Sequence, residues 1–163
     1  MKCSKRWLKT IWGWMCNMRI MGIDYGEARV GIAITDPLNI TVQGVESINR
    51  NNSDKVVLRR LDELLEKYLG VEVLVVGMPY NMDGTMSERG RITQEFIHKL
   101  KCKYPKFKIE IMDERLTTVS AHKTMNFLDV NKQKKRSIVD TISAEYILEK
   151  YVNKLKNETL AIL

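Results

Sequence analysis

The residues of this chain whose types and spacing could do chemistry are acids: Asp24, the neighbours Asp113 and Glu114, and Asp140. Asp24 follows the apolar run Ile20-Met21-Gly22-Ile23 and stands just before Gly26. Asp113 and Glu114 end the stretch KIEIMDER. Asp140 leads Ala144, Ile147 and Tyr151 by steps of four, three and four, so all four lie on one stripe of a helix. A carboxylate on an otherwise apolar stripe is costly unless it is paired, hydrogen-bonded or bound to a cation. Each acid also has a plain reading. Asp24 would serve as a turn former, Asp113 and Glu114 as a solvated strand end, and Asp140 as a first-turn acid favoured by the helix dipole.

Gathered together, the acids imply more. Two carboxylates about 4 Å apart repel by about 4 kcal/mol at an effective dielectric near 20. A site that collects three must raise a pKa or bind a divalent cation. The donors are all oxygens, and neither His98 nor His122 has zinc-ligand spacing, so the cation would be Mg²⁺ or Mn²⁺. Hard cations held by carboxylates suit in-line displacement at phosphorus, which points to phosphodiester hydrolysis.

The elements that must position these acids can be read in order. Arg19 to Asp36 (RIMGIDYGEARVGIAITD) reads as a β-hairpin turning at Gly26-Glu27-Ala28-Arg29, and Thr41 to Ile48 as a third, edge-type strand. Ser53 or Asp54 caps a helix to about Leu69, with Val57, Leu61, Leu64, Leu65 and Tyr68 inward and Gly70 as its stop. Val71 to Gly77 is a central strand covered on both faces. A loop, MPYNMDGT, leads to a helix from about Ser87 to Lys103 with Ile92, Phe96, Ile97 and Leu100 buried. Phe107 to Met112 is the fifth strand, and Thr117 or Thr118 starts a third helix. Asp129 to Arg136 (DVNKQKKR) reads as a loop before a final helix from about Ser137 to Leu155. The expected fold is α/β: a mixed five-stranded sheet, an antiparallel three-stranded meander plus parallel strands, with helices on both faces. Ligands collect where parallel strands end, and Asp24, MPYNMDGT and Asp113-Glu114 all stand at such ends. Arg115 could contact a scissile phosphate, Lys132, Lys134, Lys135 and Arg136 could track a nucleic-acid backbone, and Asn81, Asp83 and Gly84 could bind phosphate or simply close a turn.

Composition narrows the partners. The net charge is +7, of which Lys2, Lys5, Arg6 and Lys9 supply +4, so a polyanionic partner is compatible with the chain. No stretch is long and apolar enough for a membrane span, and three cysteines without a framework suit a reducing compartment. Residues 1–17, with Trp7, Trp12 and Trp14, read as a disordered extension or an upstream start ahead of Met18, the alternative being a basic-aromatic arm for nucleic acid or a membrane surface. The domain is expected over residues 18–156, with 157–163 as a tail.

IDYGEARVGIAITD, VVGMPYNMDGT, DERLTTVSA and VDTISAEYILEKY resemble, in the same order, the four motifs of the YqgF/RuvX family, over residues 18 to about 152. The resemblance implies an RNase H-like fold and a cytoplasmic, metal-dependent nuclease acting in 5′-end maturation of pre-16S rRNA. It makes Asp24, Glu114 and Asp140 the metal-binding, catalytic acids, with Asp113 beside them. The alternatives are a Holliday junction resolvase working on branched DNA and a ribosome-assembly factor that binds structured RNA with little catalysis. An actin-like kinase or ATPase also begins with such a hairpin, but it needs two such domains, and 163 residues provide one. Resolution of a junction calls for a homodimer, whereas RNA processing is open to a monomer.

Overall fold

The computed structural model describes residues 18–113 and 132–161, the side chains of the second stretch from 138 onward. Its five strands are β1 (Arg19–Tyr25), β2 (Arg29–Thr35), β3 (Val42–Asn49), β4 (Val71–Met78) and β5 (Lys108–Asp113). Its helices are α1 (Asp54–Lys67), α2 (Glu88–Lys103) and α3 (Lys132–Leu160). The sheet order is β3-β2-β1-β4-β5. β1 pairs antiparallel with β2 and parallel with β4, while β3 and β5 extend the two sides antiparallel and parallel. This is the mixed sheet expected from the hairpin, the meander and the crossovers.

Alternation along the strands divides the core into two layers. Met21, Ile23 and Tyr25 of β1 and Leu74, Val76 and Met78 of β4 face α1 and α2, where Val57, Leu61, Leu64, Phe96, Ile97 and Leu100 complete the larger cluster. Ile20, Ala33, Val73 and Val75 face α3, which contributes Ala144, Ile147, Leu148, Tyr151 and Val152. Asp24 has the parity of Ile20 and Gly22, so β1 delivers it to the α3 side.

Glycines decide how close α3 comes. A Cβ on Gly22 would stand 2.9 Å from Leu148 Cβ, and one on Gly31 would stand 1.9 Å from the Asp140 carbonyl oxygen. Gly31 is the β2 partner of Asp24. At Gly44 the amide donates to the Glu145 carboxylate, tying β3 to the same helix.

Several boundaries differ from the sequence reading. α3 starts at Lys132, so the Lys132–Arg136 run is helix rather than loop, and the helix continues through Leu160 into the supposed tail. Lys, Gln and Arg are good helix formers, and nothing between Lys132 and Ser137 interrupts the turn. Ile92 is 41% exposed, and Thr93 takes the inward position instead. The buried arc of α2 centres on Thr93, Phe96, Ile97 and Leu100, which leaves Ile92 at its margin. Ser87 caps α2 by accepting from the Gly90 amide at 2.9 Å, whereas Ser53 makes no side-chain cap on α1. The predicted helix from Thr117 or Thr118 lies outside the described residues, as do residues 1–17.

Candidate active site

β1 ends at Tyr25, and its last inward residue on the α3 side is Asp24, half-buried at the rim of the sheet. α3 packs on that face, seated on Gly22, Gly31 and Gly44, and brings Asp140 to the same rim. The two acids, far apart in sequence, thereby come within electrostatic reach of each other, and Asp140 lines a cleft at that rim. Its lining is the hairpin turn Gly26–Arg29, Arg89 from the first turn of α2, and Val139 and Asp140 from α3, around a volume of about 380 Å³.

The electrostatics of Asp24 follow from this placement. Burial disfavours its charged form, the neighbouring Asp140 carboxylate disfavours it further, and together they push its pKa from 3.8 up to about 6. The Arg89 guanidinium and a hydrogen bond from the Ser143 hydroxyl oppose the rise without cancelling it. Asp140 is better satisfied. Its Oδ2 accepts from the Ser47 hydroxyl at 2.8 Å and stands 3.8 Å from an Arg29 guanidinium nitrogen. The latter distance is Coulombic attraction rather than a hydrogen bond.

The turn that walls the cleft is held from below. Arg50 donates to the carbonyls of Gly26 and Glu27 at 3.1 and 3.0 Å and to Asp54 Oδ1 at 2.9 Å, with its guanidinium 4.5 Å over the Tyr25 ring. Asn51 and Asn52, at φ 47° and 56°, bend the chain after β3 so that Arg50 reaches back to that turn.

The structure brings Asp24 and Asp140 within electrostatic reach of each other. Glu114 and Arg115 lie outside the described residues. On β5, Ile109 packs into the α1/α2 layer and Met112 into the α3 layer, so Asp113, four residues after Ile109, falls on the face opposite Asp24. Lys134, Lys135 and Arg136 sit in the opening turns of α3, upstream of Asp140, and their side chains are not described. Asn81 is exposed and does not line the cleft. Its amide donates to the Thr85 hydroxyl at 2.8 Å, and its carbonyl accepts from the Gly84 amide at 2.9 Å, closing a turn in which Gly84 has φ 85°. His98 is exposed on α2, its ring 3.7 Å from the Cys102 sulfur and away from the acids.

Sequence reasoning missed Arg29, Ser47, Arg89 and Ser143. Ser143 was within reach, since it lies three residues after Asp140 and hence on the same helix face. Arg89 left a fainter trace, because a cation in the first turn of a helix opposes the macrodipole. Ser47 carries no local mark, as only the β2–β3 pairing places it beside Asp140's helix (Gly31 pairs with Ser47).

The donor set fits a hard divalent cation. Asp24 and Asp140 offer carboxylate oxygens, and such an ion would supply the positive charge that Arg89 gives Asp24 only in part. Among the described residues no group of three His, Cys, Asp or Glu side chains forms, so these two acids are an incomplete set.

A mixed five-stranded sheet whose central strand ends in one acid, with a second acid brought beside it by the last helix, is an RNase H-like fold. The fowlpox virus Holliday junction resolvase shares the fold with a TM-score of 0.50 at 17% identity, over 85% of this chain and 99% of that one. The family described as RuvX, Holliday junction resolvase, matches residues 18–154, and the chain belongs to it. Relatives from Acetivibrio thermocellus and Ruminiclostridium cellulolyticum, both provisionally named pre-16S rRNA nuclease, are 47% and 48% identical. The matches span 83% and 85% of this chain and 96% of each relative.

Proposed function

We propose that the chain is a metal-dependent endonuclease that hydrolyses phosphodiester bonds in the 5′-end maturation of pre-16S rRNA. One observation carries the chemistry: Asp24 stands close enough to Asp140, at the edge of the cleft that Asp140 lines, to be driven up to about 6 by burial and by that second carboxylate. Carboxylates are held in that condition at centres that use their charge. The substrate assignment draws on the two relatives named for pre-16S rRNA, and a cytoplasmic setting is part of the proposal. Among the described residues no helix is long and apolar enough to cross a membrane.

Asp24, Asp140 and, by family motif, Glu114 would hold Mg²⁺ or Mn²⁺, which when bound makes water nucleophilic at neutral pH and neutralises charge on the leaving oxygen. The chain's own groups set the frame for that chemistry. Ser47 fixes the rotamer of Asp140. Ser143 steadies Asp24. Arg50 holds the hairpin turn as one wall of the cleft. Asp113, one residue before Glu114 but on the other face, would act only indirectly, and Arg115, Lys134, Lys135 and Arg136 would meet the nucleic-acid backbone. The family description favours a second reading, resolution of four-way DNA junctions, for which a homodimer would align two clefts.

Incubation of a pre-16S rRNA leader and of a four-way DNA junction with Mg²⁺ or Mn²⁺ separates the readings. The expected result is cleavage of the leader, lowered more than about a hundredfold by Asp24→Asn. Cleavage that survives the substitution unchanged would sink the two-acid mechanism.

A further inference from the structure

The cleft contains two cations that the acid chemistry does not require. Arg29 closes the β1–β2 turn, and Arg89 stands in the first turn of α2, yet both line the same space as Asp140. Among the described residues neither is tied up in a hydrogen-bonded ion pair. Arg29 approaches Asp140 only to 3.8 Å, beyond hydrogen-bonding range, so that contact does not commit its planar fork. Arg89 is exposed and occupies a helix position where a cation is disfavoured.

The fold nonetheless anchors that position firmly. The Ser87 hydroxyl donates to the Pro79 carbonyl, and Gly90 lets α2 start hard against the same residue, since a Cβ there would stand 2.9 Å from the Pro79 oxygen. Pro79 directly follows β4, whose Met78 is in register with Asp113 at the acidic rim. The first turn of α2 is therefore pinned beside the end of β1, which keeps Arg89 at the mouth of the cleft. Its positive field reaches Asp24.

We propose that Arg29 and Arg89 form a two-armed guanidinium clamp that grips the non-bridging phosphate oxygens of a nucleic-acid backbone entering the cleft they line with Asp140. This rests on the nuclease reading for its substrate class, but it is a statement about binding and is tested without turnover. Guanidinium forks match phosphate in two-point fashion, and arms from β2 and α2 would orient the backbone over acids that by themselves repel it. The acids deter the polyanion until a cation is bound, and the arginines supply the complementary attraction at the same spot.

The test is anisotropy of a short fluorescent single-stranded RNA with the full chain and Ca²⁺ in place of Mg²⁺, across a salt series. Arg29→Gln and Arg89→Gln are each expected to weaken binding about tenfold and to lower the slope of log affinity against log salt by about one. Arg29→Lys keeps the charge and is expected to keep the slope while losing several-fold in affinity, because a point charge lacks the fork. Thermal midpoints identify the folded variants, and Arg89→Gln, altered at an exposed side chain, decides the matter if Arg29→Gln unfolds. Wild-type affinity and slope in folded Arg89→Gln, or tighter Ca²⁺ binding with RNA binding unchanged, would overturn the clamp and make the arginines counter-ions of the acids. If the wild type binds RNA through both arginines yet cleaves neither leader nor junction, the nuclease reading fails and the clamp stands.

Discussion

Tyr25 and Asp24 are neighbours on one strand, and the two sides of the sheet treat their polar groups in opposite ways. On the α1/α2 side the Tyr25 hydroxyl donates to Asp54 at 2.6 Å, while Arg50 and Lys99 approach the same carboxylate at 2.9 and 2.6 Å. Burial works against the charge of Asp54, but the hydrogen bonds from Lys99 and Tyr25 and the two cations outweigh it and hold its pKa below the ordinary range. On the α3 side Asp24 faces another carboxylate, and its pKa rises to about 6. The first acid is fully matched and braces the fold. The second is opposed by burial and by a like charge, which Arg89 and the Ser143 hydroxyl only partly offset.

The packing differs in the same sense. Above α1 and α2 the sheet presents Met21, Ile23, Ile32 and Leu74, and Tyr25 stacks on Phe96 at 4.1 Å. Towards α3 it presents Gly22, Gly31, Ala33 and Gly44 beside Ile20, Val73 and Val75, and the small residues admit a helix backbone close to the strands. Thickening that layer at one point is the most direct way to break the contrast. Gly31→Ala puts a methyl where the Asp140 carbonyl now stands. It is expected to cost about 3 kcal/mol of stability and to move Asp140 away from Asp24, with cleavage falling more than about a hundredfold in the folded fraction. Wild-type cleavage by folded Gly31→Ala would show that the seat of α3 does not set the site.

Neutralising each acid in turn sharpens the comparison. Asp54→Asn should lower stability at neutral pH by about 2 kcal/mol, because it leaves Arg50 without its partner. As the Asp54 pKa is depressed, that contribution is present above the ordinary carboxylate value and is lost as pH falls through the depressed one. Asp24→Asn should act in reverse. A raised pKa gives stability that is fully present below 3.8 and lost as pH rises through about 6. With a chelator present at neutral pH, Asp24→Asn should therefore raise the thermal midpoint by a few degrees, equivalent to about 1 kcal/mol after solvent screening. Denaturation curves between pH 3 and 8 measure both, and equal signs for the two variants would remove the distinction between the faces. The smallest effect is expected from Tyr25→Phe, about 1 kcal/mol with cleavage per folded molecule unchanged.

Local pattern carried the strands and the two described early helices because each has a hydrophobic period of its own. The β1–β2 hairpin, the all-apolar β4 and the stripe of α1 follow from residues a few positions apart. Asp140 was legible for the same reason, as one acid on the Ala144–Ile147–Tyr151 stripe. The start of α3 was not, since Lys132 to Arg136 is a charged run with no apolar period, and charge alone does not separate a solvated helix from a loop. Arg29, Ser47 and Arg89 were invisible as site residues because each reaches the cleft through pairing or packing with a distant element.

The amino-acid sequence by itself determined the kinds of elements, their order, and the acids available at the ends of strands and on the stripe of the last helix. Those are consequences of periodicity and side-chain chemistry over short spans. Only the tertiary structure decided that α3 sinks onto Gly22, Gly31 and Gly44, that Asp140 thereby comes near Asp24, and that two arginines from separate elements line one cleft with Asp140. The physical reason is that a pKa, an ion-pair distance and a cleft are sums over atoms far apart in sequence, and folding alone sets those distances.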